Sequence, residues 1–306
     1  MIEYEIVTHD RIRGVRVLVN TIRIRSIHMH HDAELLYAIS GSGTIIIKNQ
    51  PHPMTTGDAL LINAYESHEI LSEQDGFTLV IIQFSSHFLQ DYGSLRNILF
   101  LDSKLRTVMK EADYHTLCRH IEQLSLAYLE GGDYFHLPVI SHLSEILYLI
   151  LNHTHIELLS ETEYSKRRKN EKRMKRVSEY IEANYQDQIR LSDIAEQENL
   201  TVTHLSHLIS EQFGVSFQDY LKHKRLENAV RLIHTGRTLS EISEYCGFSE
   251  LKYMTKAFKE TFHMTPAEYR KKEEQIPSVS SLEDRSEYIY SDREALALLR
   301  QSFGDN

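Results

Sequence analysis

LSDIAEQENLTVTHLSHLISEQFG (191–214) and LSEISEYCGFSELKYMTKAFKETFH (239–263) are two versions of one pattern, about 48 residues apart. Each opens on Leu-Ser and an acidic residue, Asp193 or Glu241, where a helix dipole favours negative charge. Ser192 and Ser240 are the expected N-caps, and Ile194 and Ile242 begin the buried face. Asn199 and Gly247 occupy the tight turn, since both residue types tolerate positive φ. Leu200 and Phe248 plug the gap between helices, and Thr201 and Ser249 start the next one. That second helix is expected to bury Leu205, Leu208 and Ile209 in the first copy, and Tyr253, Met254, Ala257 and Phe258 in the second. A helix, a turn of about three residues and a second helix make a helix-turn-helix unit. Between the copies, residues 217–234 read as an amphipathic rod with Leu221, Leu226, Ala229, Leu232 and Ile233 apolar. Such a rod would hold the two units at a fixed separation.

Charge sorts with the repeat. The whole chain carries −10, but residues 1–165 carry −10, residues 166–272 carry +5 and residues 273–306 carry −5. The duplicated block is therefore the one segment suited to a polyanion. A recognition helix fits the major groove of duplex DNA and reads base edges, while flanking cations hold phosphates. The solvent-facing candidates are Val202, Thr203, Ser206, His207 and Ser210 in the first copy. In the second they are Leu251, Lys252, Thr255, Lys256 and Lys259, with Lys256 and Lys259 foremost. Two such helices on one rod are expected in successive major grooves, about 34 Å apart. RNA binding is disfavoured because stacking aromatics are missing from this set.

The block resembles the DNA-binding domain of the AraC/XylS family of bacterial transcription regulators over about 100 residues. The most specific stretch is ISEYCGFSELKYMTKAFKETFHMTPAEYR (242–270), with Gly247-Phe248-Ser249, Phe258-Lys259, Phe262 and Thr265-Pro266 in register with the family signature. The first copy departs from it. Asn199 replaces the usual turn glycine, His207 stands where arginine is common, and Ile209-Ser210 replace Phe-Lys. The resemblance implies fewer phosphate contacts in that half. It also implies a homodimer, promoter DNA and RNA polymerase as partners, and a small effector, a sugar foremost.

Residues 1–85 read as short strands. VRVLVNTIRI, GTIIIKN, ALLINA and FTLVIIQF are separated by turn signals such as Gly41-Ser42-Gly43 and Thr56-Gly57-Asp58. This pattern predicts a small antiparallel barrel. Within it, His28, His30, Glu34 and the distant His68 are similar to the two motifs of the cupin barrel, which supply three histidines and a glutamate to a metal. Alternation places His28 and His30 on one face of a strand, with Glu34 two side-chain steps further at the same parity. Inside a barrel these four groups could bind a small polar effector, the expected role, or a divalent transition metal. No cofactor is expected. Tyr37, of opposite parity, belongs outside the pocket or between barrel and helices.

The expected fold is α+β: a cupin-like β-barrel (1–110), a helical hairpin serving dimerisation (111–158), a linker (159–171), an all-α double helix-turn-helix domain (172–272) and a C-terminal extension (273–306). In the hairpin, Leu117, Ile121, Leu124 and Tyr128 form one stripe and Val139, Leu143, Ile146 and Ile150 another, parted by Gly131-Gly132. The linker, SETEYSKRRKNEK, lacks apolar period. The extension opens with Pro277 and ends in SDREALALLRQSF, where Ser291 and Glu294 have capping-box spacing. Two cysteines far apart, an acidic N-terminus without an apolar run and no membrane-length stretch point to a cytoplasmic protein. The competing reading, a metal-dependent cupin enzyme using His28, His30, Glu34 and His68, explains four residues and leaves the duplicated block unexplained.

Overall fold

The computed structural model describes residues 4–5, 7, 9, 11–72, 76–86, 88, 95, 97–233, 235–274 and 287–304. Two five-stranded sheets face each other. The first runs in the order β1 (Tyr4–Glu5), β3 (Ile24–His30), β8 (His68–Ser72), β5 (Ser42–Ile47), β6 (Gln50–Thr55). The second runs β12 (Glu287–Ile289), β2 (Val15–Ile22), β9 (Phe77–Ser85), β4 (Asp32–Ser40), β7 (Ala59–Ile62). Central strands β4 and β9 are covered on both faces, which explains their nearly unbroken apolar runs. Leu36, Ala38, Leu79 and Ile81 point into the barrel with Ile45, Ile47 and Phe77. Leu35, Tyr37, Val80 and Ile82 point the other way, against helices.

Those helices are α1 (Glu111–Glu130) and α2 (His136–His153), an antiparallel hairpin whose two predicted stripes are all buried. A short ribbon, β10 (Ile98–Phe100) with β11 (Ile156–Leu158), closes its far end. The C-terminal extension also returns to this domain. β12 pairs antiparallel with β2, Glu287 opposite Ile22. Helix α10 (Asp292–Phe303) then lies on α1, with Ala295 and Leu299 buried and Arg300 2.7 Å from Glu130. Ser291 and Glu294 form the expected capping box. Pro277 and the serines after it lie outside the described residues.

The remaining helices are α3 (Glu161–Asn184), α4 (Leu191–Gln197), α5 (Val202–Phe213), α6 (Phe217–Leu232), α7 (Leu239–Tyr245), α8 (Leu251–Phe262) and α9 (Pro266–Glu274). The stretch 159–171, expected as a linker, is instead largely the first half of α3. Its Glu, Lys and Arg residues are strong helix formers. Ser160 and Glu163 form a capping box at its start, and Arg167 pairs with Glu171 one turn on at 3.5 Å. Only from Met174 does an apolar face appear, with Val177 and Ile181 buried against the first helix-turn-helix unit. No helix among the described residues is long and apolar enough to cross a membrane.

Candidate functional site

Both helix-turn-helix units form as the repeat implies. Asn199 and Gly247 have φ of 52° and 79°. In each turn the next N–H closes back onto the first helix: Leu200 N donates to Ala195 O at 2.9 Å, Phe248 N to Ser243 O at 3.0 Å. The caps lie earlier than Ser192 and Ser240. Thr238 caps α7 in a capping box with Glu241, and Arg190 precedes α4 with no side-chain cap. A Thr-x-x-Glu spacing fits Thr238, which is why the cap falls there. Thr201 caps α5 by accepting from His204 N at 3.1 Å, whereas Glu250 rather than Ser249 precedes α8.

That extra residue before α8 shifts the second copy by one position. Tyr253, expected in the core, is 48% exposed, and the buried face of α8 is Met254, Ala257 and Phe258. Tyr253 thus corresponds to exposed His204, not to buried Leu205. Its ring lies 5.0 Å from the Lys252 ammonium, and it joins the outward face that sequence reading did not give it. Val202, Thr203, Ser206, His207 and Ser210 are all exposed on α5, as are Lys252, Lys256 and Lys259 on α8. Leu251 and Thr255 are half-buried, and Leu251 packs on the core of its own unit. Lys256 lies 3.7 Å from Glu260 one turn on, and Lys252 2.8 Å from Glu250. Exposed pairs of this kind are worth little.

A second constellation lies inside the barrel. His28, His30, Glu34 and His68 meet, although not as one strand's face. The chain turns at His31, so His28 and His30 sit on β3 and Glu34 on β4 in the opposite sheet. His68 is the register partner of His28 across β3 and β8. All four are buried, at 1–2% exposure. His30 Nδ1 is 2.9 Å from the Asp32 carbonyl, and His68 Nδ1 2.9 Å from the Glu66 carbonyl. A carbonyl only accepts, so each Nδ1 donates a hydrogen there and each Nε2 turns toward Glu34; the contact between His30 Nε2 and the carboxylate needs a second ring hydrogen, donated from Nε2. Those distances are 2.9 Å from His30 and 3.4 Å from His68. Gln83, unnoticed in the sequence, donates from Nε2 to Glu34 at 2.9 Å. Burial works to raise the Glu34 carboxyl, but the imidazoles of His30 and His68 hold it well below the usual carboxylate range. Burial, then His68, push His28 well below its ordinary value and keep it neutral.

This donor set fits a divalent transition metal. One ligand atom from each of His28, His30 and His68 lies within 4.8 Å of the others. Main-chain carbonyls hold two rings by Nδ1, the outer-shell arrangement that orients metal-binding histidines, and leave Nε2 as the atom a metal would take in place of a hydrogen. The His68 Nε2 is buried without a hydrogen-bond partner of good geometry.

The first sheet packs directly on the helical units. Ile27 and Met29 of β3 lie in the core of the first unit, and Ile24 in the core of the second. Ser67 Oγ donates to Gln212 O near the end of α5 at 2.8 Å, and Arg167 donates to the Ala64 carbonyl. Gly214, the left-handed cap of α5 at φ 73°, abuts the β5–β6 turn. A Cβ there would stand 2.7 Å from Lys48 C and 2.8 Å from Asn49 N, both backbone. Gly214→Ala is therefore expected to cost about 1–3 kcal/mol from the positive φ alone, with the clash in addition. A denaturant melt checks it; unchanged stability would mean that the turn does not press on α5.

The model of the AraC-like ligand binding domain matches residues 21–147, and that of a helix-turn-helix domain matches residues 194–272. Together they account for about two thirds of the chain. Among curated relatives, an uncharacterized HTH-type transcriptional regulator of Staphylococcus aureus (strain MSSA476) is 26% identical over 265 residues, which is 86% of this chain and 34% of that protein. The chain thus spans about a third of the length of that relative. The HTH-type transcriptional regulator YfiF of Bacillus subtilis (strain 168) is 23% identical over 258 residues, 80% of this chain and 78% of its own. Among solved structures, the C-terminal domain of the response regulator yesN from Fusobacterium nucleatum is 36% identical. That match covers 32% of this chain and 96% of the domain, with a TM-score of 0.31. ToxT from Vibrio cholerae, 17% identical, covers 84% of this chain and 98% of its own, with a TM-score of 0.44.

Proposed function

Starting from a chain that belongs to the AraC/XylS family of DNA-binding transcription regulators, and so is not an enzyme, we propose that it reads promoter DNA in the cytoplasm through α5 and α8. The observation that carries this reading is the pair of outward helix faces set on two matching scaffolds. Lys256 and Lys259 hold phosphates or read guanine, while Val202, Thr203, Ser206, His207 and Ser210 meet the other half-site. Thr255 joins at the margin of α8, and Tyr253 adds a ring beside Lys252. Leu251 serves the core more than the groove.

The protein works as a homodimer, with RNA polymerase as its downstream partner. Helix α10 of the same chain covers one side of α1, which leaves the outer face of α2 for a second copy. Leu137 and Tyr148 there are 58% and 62% exposed.

The effector is small and polar and binds at His28, His30, Glu34 and His68. A sugar is the reading drawn from the family. A divalent transition metal is favoured by three observations: the tight convergence of imidazole nitrogens, the main-chain carbonyls that hold two rings by Nδ1 and the burial of all four residues. Such an ion would draw the two sheets together at this end of the barrel. At 100 times its Kd a bound ligand stabilises by about 2.7 kcal/mol, or several degrees in Tm. The test is melting of the full chain with zinc, nickel or manganese, and with a panel of sugars. A shift with an ion, lost in His28→Ala/His68→Ala, is the expected result. A shift with a sugar alone contradicts the ion, and no shift with either removes the cluster as effector site.

A further inference from the structure

We infer that strand β3 is a second spacer between the two DNA-reading units, running beside α6, and that Ile24, Ile27 and Met29 are positioning residues that set the spacing of α5 and α8. The inference rests on the DNA-reading function proposed above and concerns how its two halves are held in register.

The two ends of β3 enter different cores. Ile27 and Met29 are buried with Leu205, Phe213 and Leu221 of the first unit. Ile24 is buried with Ala229, Ile242 and Phe258 of the second. A regular strand could not do this, because Ile24 has the parity of His28 and His30 and would face the barrel interior. The register shows how it is done. Arg25 pairs with Ile70, yet His28 pairs with His68, so β3 carries one extra residue between them. This bulge turns Ile24 outward, onto the same face as Ile27 and Met29. One strand thereby touches both reading units on its outer face and carries two members of the histidine cluster on its inner face.

Neighbouring contacts brace the same elements. Ser67, next to His68, holds the end of α5 through Gln212 O at 2.8 Å. Glu69, on the other side of His68, lies 3.5 Å from His223 of α6. The cluster and the first reading unit are therefore one residue apart along β3 and at the start of β8, while the contact of β3 to the second unit lies four residues from His28.

Register against DNA is demanding. One base pair moves a half-site by about 3.4 Å and turns it by about 35°. A pair held by both α6 and β3 should tolerate a change of spacing less than a pair held by α6 alone. The experiment uses the full chain and a duplex that the wild type selects from random DNA. Affinity is measured for that duplex and for versions with one base pair added or removed between the two half-sites. For the wild type, the shift in spacing is expected to cost at least about tenfold, comparable to one mismatched position. In Ile27→Ala/Met29→Ala the ratio should fall to less than about threefold, while affinity for a single half-site stays within about twofold. Ile27→Val/Met29→Leu should restore the wild-type ratio. If the alanine pair does not melt cooperatively, Ile24→Ala, at the opposite end of the strand, is read the same way. A wild-type ratio retained in a folded alanine variant overturns the brace and leaves DNA reading intact. If the wild type selects no duplex, the DNA-reading function falls first and the brace with it.

Discussion

Phe258→Ala is expected to unfold the second helix-turn-helix unit. Phe258 is fully buried, with ring centres of Phe262 and Tyr269 at 5.4 and 5.6 Å. Met254, Ile242 and Cys246 complete its surroundings. Truncating a buried phenylalanine costs about 3–5 kcal/mol, from lost transfer energy and the cavity left behind. That is a large share of the stability of a small helical unit. Because Ile24 of β3 shares this core, the loss should reach the barrel as well. A thermal melt should show a drop of roughly ten degrees or more, or a separate early transition, as a 3–5 kcal/mol loss implies for a unit of this size. DNA binding at 37 °C should vanish. A melt within a degree or two of wild type would mean that this aromatic cluster is not the core of the unit.

The second large effect concerns charge rather than packing. Lys256→Ala with Lys259→Ala removes two exposed cations from the outward face of α8. Lost contacts of this kind cost on the order of tenfold each, so affinity for the selected duplex should fall about a hundredfold. The slope of log affinity against log salt should shrink by nearly two units, since each phosphate contact contributes about 0.9. Folding should be unaffected, because both side chains are exposed and Lys256 gives up only a 3.7 Å pair with Glu260. A variant that binds as wild type, with an unchanged salt slope, would place the phosphate contacts elsewhere. A large loss of affinity with no change of slope would instead assign these lysines to base reading.

Much of the architecture was legible because local signals agreed with the global fold. The repeated Leu-Ser-acidic opening, the turn residues at 199 and 247 and the buried triplets of the second helices carry helical period and turn chemistry together. The apolar run of β9 and the two stripes of the hairpin are equally local. The histidine cluster was legible through residue type and spacing, although the turn at His31 carries Glu34 to the other sheet. Other features depend on contacts that no window of sequence contains. Residues 159–171 have no apolar stripe, so a helix held by capping, propensity and a single buried face further on read as a linker. The bulge between Arg25 and His28 is set by pairing with β8 and by what lies above and below the strand. It decides which face Ile24 takes. The extra residue before α8 carries Tyr253 to the outward face, because the two copies keep one register only as far as their turns. The return of the C-terminal extension rests on a three-residue strand whose partner lies more than 250 positions earlier.

The central claim is that two reading helices on one rigid frame engage a single face of duplex DNA. Hydroxyl-radical footprinting of the full chain on its selected duplex tests it most directly. Two protected patches on the same face, centred about 10–10.5 base pairs apart, are the predicted result. A single patch, or two patches about half a turn out of phase, would contradict it.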